Sequence, residues 1–208
     1  MSESRLKYRK ALSKYIQEEY IDYVIDLMLR YPCYFKISKP RKTKLGDFKA
    51  NAGSMHSISV NGDLNKYSFL ITTLHEFAHL ITYKEHKWKV KPHGIEWKNN
   101  YTKLILPIIE SGHLPSELNK VLLNSLHNVK ASSCTDKKLH RVLLSYDKLD
   151  EGLNYLERID HDSYFELNGK TFKKGNLRRT RYVCMEHNTQ KTYLVNALAK
   201  VKEIKNER

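Results

Sequence analysis

Cysteine is scarce in this chain: three residues in 208, at positions 33, 134 and 184, with no Cys-x-x-Cys pair. That usage excludes the disulfide framework of a small secreted domain and a zinc ribbon built from paired cysteines. No apolar run approaches the roughly 20 residues a helix needs to span a bilayer. The opening Met1-Ser2-Glu3-Ser4-Arg5 lacks the apolar segment of a secretory signal. The expectation is a cytoplasmic protein in a reducing compartment. Internal repeats and low-complexity tracts are absent too. Acidic residues are in deficit, 23 against 37 Lys and Arg, for a net charge of +14. An excess of this size favours a polyanionic partner. It is uneven, with +9 over residues 1–103, none over 104–133 and +5 over 134–208.

Chemistry concentrates in His75-Glu76-Phe77-Ala78-His79, followed by His93-Gly94-Ile95-Glu96-Trp97. Two histidines four apart on a helix present both imidazoles on one face, near enough to hold one ion. The glutamate between them points about 100° around the helix, beside the ion. There it can take a proton from water, the zinc-hydrolase arrangement. Chance produces His-Glu-x-x-His in roughly 3% of shuffled chains of this composition. Tyr67, Leu70, Ile71, Leu74, Phe77, Ala78 and Ile81 recur at helical spacing and predict an apolar stripe beside the histidines. Asn61 or Asp63 is expected to cap the helix. Catalytic zinc takes three protein ligands. His93 is the first choice for the third, with Gly94 supplying backbone freedom; Glu96 is the competitor. His86 has charged neighbours and reads as exposed. Thr82 and Glu85 stand where the metzincin pattern requires Gly and His, which excludes that pattern.

These two segments resemble the SprT-like metalloprotease domain of Spartan-type proteases. The residues 44–47 and 58–61 are similar to that domain's sheet region. Segments around 64–67, 131–134 and 181–184 resemble SprT-domain proteins of Bacteroidetes-type bacteria. The resemblance implies zinc on His75, His79 and His93, with Glu76 as catalytic acid/base. It also implies proteins crosslinked to DNA as an analogous substrate. Many members end in a zinc ribbon, for which this chain lacks the paired cysteines. Cys134, His140, Cys184 and His187 form a candidate mixed second site, because Cys184-x-x-His187 has ligand-like spacing. The alternative is that Cys134 and Cys184 are small buried hydrophobes.

The expected fold is α+β. A zincin-like helical catalytic domain with a short antiparallel sheet occupies 1–147, and a small antiparallel β module occupies 148–208. One amphipathic helix is expected over 5–31, stopped by Pro32. Strands follow at 34–38 and 57–61, with a basic loop between. The metal helix comes next, then helices from Gly94 to Pro107, 115–127 and 135–146. Asn168-Gly169 between apolar runs signals a hairpin, and 181–184 with 192–195 reads as another strand pair.

The expected activity is that of a zinc endopeptidase. Glu76 deprotonates water for attack on a peptide carbonyl polarised by the metal, then gives the proton to the departing amine. In zincins an exposed strand pairs with the substrate backbone, and 57–61 is the candidate. Tyr67, Tyr83 and Tyr101 are candidate oxyanion donors. Lys170, Lys173, Lys174, Arg178, Arg179 and Arg181, interleaved with Phe172 and Tyr182, suit single-stranded nucleic acid. Lys36, Lys39, Arg41, Lys42 and Lys44 form a second basic cluster. The alternative function is a nucleic-acid-binding or regulatory protein with a mainly structural zinc site.

Overall fold

The computed structural model describes residues 3–41, 43–127, 129 and 136–204. The chain divides into two compact units, Met1–Asp147 and Lys148–Arg208. Among the described residues the first holds six α-helices and a three-stranded sheet, and the second a six-stranded antiparallel sheet. The architecture is mixed α+β. No helix among the described residues is long and apolar enough to cross a membrane.

The expected single first helix is two, α1 (Glu3–Leu12) and α2 (Glu18–Arg30). The break hides from periodicity because Ile16, inside the connecting turn, is as fully buried as the helical positions Leu12, Ile21 and Val24. Reversal of the chain brings Arg5 onto Asp22 and Asp26, at 3.0 and 2.6 Å, and Arg9 onto Glu18 and Asp22.

Strands β1 (Tyr34–Ser38), β2 (Gly46–Lys49) and β3 (Ser57–Asn61) form a sheet in the order β1-β3-β2. β3 runs parallel to β1 and antiparallel to β2, so the sheet is mixed and not antiparallel as expected. Two further expectations fail here. The segment 46–49, which local pattern places in the basic loop although the resemblance sets 44–47 in a sheet region, is a strand. The strand 57–61, expected to be an exposed edge, is central, with Ile58 and Val60 fully buried. The four residues of β2, Gly-Asp-Phe-Lys, are too short and too polar to announce themselves; pairing with β3 makes them a strand.

Helices α3 (Lys66–His86), α4 (Ile95–Glu110), α5 (Ser116–Leu126) and α6 (Lys137–Leu144) complete the unit. Neither Asn61 nor Asp63 caps α3. Asn65 does, its side chain accepting from the Ser68 N–H at 2.9 Å and donating to the Leu143 carbonyl and the Asp147 carboxylate. Asn61 is buried and pins the preceding loop, donating to the Lys44 carbonyl at 3.0 Å and accepting from Arg41 Nε at 2.7 Å.

In the second unit, strands β4 (Leu153–Tyr155), β5 (Tyr164–Leu167), β6 (Lys170–Arg178), β7 (Arg181–Glu186), β8 (Thr192–Asn196) and β9 (Lys200–Ile204) order as β4-β9-β5-β6-β7-β8. Asn168 and Gly169 both have positive φ, 52° and 73°, as a two-residue hairpin turn requires. The sequence reading missed β4 and β9, which are short and pair across about 45 residues of chain. Phe165, Phe172, Cys184, Val195 and Val201 fill this unit's core.

Candidate metal centre

Helix α3 is apolar on most of its circumference. Phe69, Leu70, Leu74, Phe77, Ala78 and Leu80 are buried, leaving His75 and His79 half-buried on a strip that faces a cleft. The helix ends at Lys87, whose N–H donates to the Tyr83 carbonyl. The chain then turns back to start α4. His93 itself adopts the left-handed region, with φ +56°, while Gly94 has φ −67°. Gly94 is therefore not the flexible joint expected. Its value is a close approach, since a Cβ there would meet the Lys91 carbonyl at 2.9 Å.

The turn carries His93 to the other two imidazoles. Its Nε2 lies 3.0 Å from that of His79 and 3.3 Å from that of His75, and His75 and His79 are 3.1 Å apart. Among the described residues, these three form the group of side chains able to hold a metal ion together. Glu96, the competing ligand, is not in the group, and neither is Glu76. The donor set suits a cation: a proton shared between two rings serves one edge of this triangle, whereas one ion serves all three lone pairs. Burial favours neutral rings. It lowers the His75 pKa to about 3, with His79 and His93 adding to the shift, and that of His79 to about 4, with His93 adding; His93 is lowered by burial. Neutral imidazole is the ligand form.

The buried Trp97 of α4 packs on all three rings, with centroids 4.7 Å from His75, 5.2 Å from His79 and 4.7 Å from His93. Tyr101, one turn on, stacks on Trp97 at 5.1 Å and 7°. This backing was not recognised in the sequence, although Trp97 and Tyr101 share the four-residue spacing of a helix face.

Glu76 is 6% exposed and lines the same cleft, of about 430 Å³, as the three histidines. Burial first, then the nearby Asp47, raises its pKa to about 8, against the pull of Arg41, the Phe48 N–H and Lys44. Gly46, on β2, was unforeseen: a Cβ there would fall 2.4 Å from Glu76 Oε1 and 2.7 Å from Thr72 Cγ2. A glycine is what leaves the carboxyl its space. Of the three candidate tyrosines, Tyr101 lines this cleft. Tyr67 packs on Tyr146 at 4.6 Å, and Tyr83 joins an adjoining aromatic wall. The His86 side chain is 40% exposed beside Glu85.

The basic candidates divide. Arg178, Arg179 and Arg181 are exposed and, with Thr180 and Leu194, surround an open hollow at the β6–β7 turn. Lys174 contradicts the sequence reading. It is 4% exposed, donates to the Ile159 carbonyl and lies 4.1 Å over the Tyr182 ring. It shares a buried face of β6 with Phe172, while Thr171, Lys173 and Gly175 are only part-buried. Phe172 is buried as well. Lys170 pairs with Glu186 and Lys173 with Asp162, each at 3.0 Å. In the second cluster Lys36 and Lys39 are exposed, Lys44 pairs with Asp47 at 2.9 Å, and Arg41 is tied to Asn61 and Ser59. Lys42 lies outside the described residues.

For the second metal site, Cys134 lies outside the described residues. Cys184 is fully buried and burial raises its thiol pKa, as for an inert core cysteine. His187 is exposed beyond the end of β7, and His140 is half-buried on α6. No family model, curated protein or solved structure matches this chain.

Proposed function

We propose that this chain is a zinc-dependent endopeptidase of SprT-like, zincin type, acting on DNA-associated proteins. One observation carries the reading: three imidazole Nε2 atoms converge within 3.0–3.3 Å of one another, and a buried carboxyl shares their open cleft. Nitrogens around a tetrahedral zinc at roughly 2.0–2.1 Å stand roughly 3.3–3.4 Å apart. Two of the spacings, 3.0 and 3.1 Å, fall slightly short of that and the third, 3.3 Å, meets it, so the residues fit the ion. His75, His79 and His93 would hold it, leaving a side of the site open to the cleft.

When bound, zinc supplies Lewis acidity, polarising a peptide carbonyl and acidifying water. The other steps belong to the chain. Glu76 Oε accepts the proton of the attacking water and returns it to the departing amine. The Phe48 N–H and the closeness of Gly46 hold that carboxyl in place. Trp97 and Tyr101 back the histidine rings and fix their orientation. β2 is the sheet edge beside the cleft, and so replaces β3 as the strand to which an extended substrate would add. Net charge and the exposed Arg178, Arg179 and Arg181 support nucleic-acid contact.

The alternative, a nucleic-acid-binding or regulatory protein with a structural zinc, is weakened by Glu76. Burying a carboxyl is costly, and a structural site gains nothing from it. The test compares wild type with Glu76→Gln for zinc content and proteolysis, with and without single-stranded DNA. The proposal expects one zinc in each protein and cleavage by wild type alone. Zinc bound without cleavage under any condition favours the alternative, as does loss of function on charge reversal at the three arginines but not on Glu76→Gln.

A further inference from the structure

Of the two tryptophans, one is buried beneath the histidines and the other, Trp88, is 72% exposed. Trp88 stands at the metal cleft and also at a smaller hollow that shares His79, His93 and Phe48 with it. Its ring meets that of Tyr83 edge-on at 4.8 Å, and Tyr83 lies 5.8 Å from Phe48 and 5.0 Å from His56. Three separate segments, β2, α3 and the α3–α4 connection, thus contribute to one aromatic wall. An indole left in water beside a reactive cleft forgoes its burial energy unless a ligand covers it. The mouth is cationic: Lys87 Nζ sits 5.1 Å over the Tyr83 ring, and Lys91 lines the same hollow.

We propose that Phe48, Tyr83 and Trp88 form a specificity subsite that receives an aromatic side chain of the peptide substrate, next to the bond cleaved. This deepens the peptidase reading and rests on it. The position follows from the shared lining: a carbonyl at the histidines leaves a neighbouring side chain, about 3.3 Å further along an extended chain, at the wall. The chemistry follows from ring faces that favour edge-to-face and stacked contacts. Lysines at the mouth repel Lys and Arg side chains. The subsite therefore selects aromatic over basic residues.

The test uses zinc-loaded Glu76→Gln protein, which holds peptides uncleaved, with and without Trp88→Ala. An exposed position makes that change harmless to folding. Blocked pentapeptides with central Phe, Ala or Lys are titrated by calorimetry and by tryptophan emission. The Phe peptide is expected to bind roughly tenfold more tightly than the others, to shift Trp88 emission, and to lose its advantage in Trp88→Ala. Equal binding of all three peptides overturns the subsite, as does an advantage that survives Trp88→Ala. So does quenching of Trp88 by an oligothymidylate but by no peptide, which assigns the wall to base stacking. Cleavage of a peptide mixture by wild type separates the two levels. Cleavage without aromatic preference removes the subsite and leaves the peptidase. No cleavage, with Phe-selective binding retained, removes the peptidase and with it the specificity role, and leaves Phe48, Tyr83 and Trp88 as a binding site for an aromatic side chain.

Discussion

Removing the carboxyl of Glu76 should change how the stability of the metal-free protein depends on pH. In the folded chain this group titrates at about 8, raised chiefly by burial from an ordinary value of 4.5. A raised pKa contributes stability that is fully present below pH 4.5 and is lost as pH rises through 8. Each pH unit within that window costs about 1.4 kcal/mol, so the step from pH 6.5 to 8 removes about 2 kcal/mol. The histidines act oppositely. His75 and His79, at about 3 and 4 when folded, contribute stability present above pH 6.5 and lost as pH falls, at about 1.4 kcal/mol per unit for each group. Stability from these groups therefore peaks near pH 6.5. Glu76→Gln abolishes the alkaline limb and spares the acid one. Denaturant midpoints of chelator-treated wild type and variant, at pH 6.5, 7.2 and 8.0, measure the difference directly, because groups elsewhere cancel. Parallel curves across that range would refute the assignment of a buried carboxyl with a raised pKa. Zinc should flatten the wild-type limb, because a nearby cation favours the ionised carboxylate.

Other outcomes follow from the same geometry. Gly46→Ala should lower proteolysis on the order of a hundredfold while zinc content stays at one, since the atoms nearest the new Cβ belong to Glu76 and Thr72; steady-state kinetics with metal analysis checks this. Trp97→Ala should cost about 3–5 kcal/mol and weaken zinc binding, with Trp97→Phe intermediate, as read by denaturation and competitive chelation. His93→Ala should abolish stoichiometric zinc binding where Glu96→Ala leaves it intact. Charge reversal at Arg178, Arg179 and Arg181 should weaken single-stranded DNA binding and flatten its salt dependence. Lys174→Ala should instead lower the denaturation midpoint, since the ammonium is enclosed.

Local pattern carried a good deal of this protein. The four-residue spacing of His75 and His79 fixes both rings on one face of a helix whatever surrounds it, because 3.6 residues complete a turn. Asn168-Gly169 dictates a hairpin, because both positions tolerate positive φ. The arrival of His93 was readable as ligand chemistry, although the left-handed turn that delivers it falls on the histidine and not on the glycine.

What local pattern does not encode is who stands opposite. Gly46 and Glu76 are thirty residues apart, and only the packing of β2 on α3 makes the one a space for the other. Lys174 and Arg178 look alike as basic residues and have the same strand parity, yet the pairing of β6 with β7 shifts register between Lys174 and Leu177, and the first is enclosed while the second stands in water. Partition into two helices, the edge position of β2 and the Trp97 backing belong to the same class. Sequence determined the chemical groups and their helical faces, since these depend on neighbours a few bonds away. Tertiary structure decided which groups share a low-dielectric space, because that depends on contacts between segments distant along the chain.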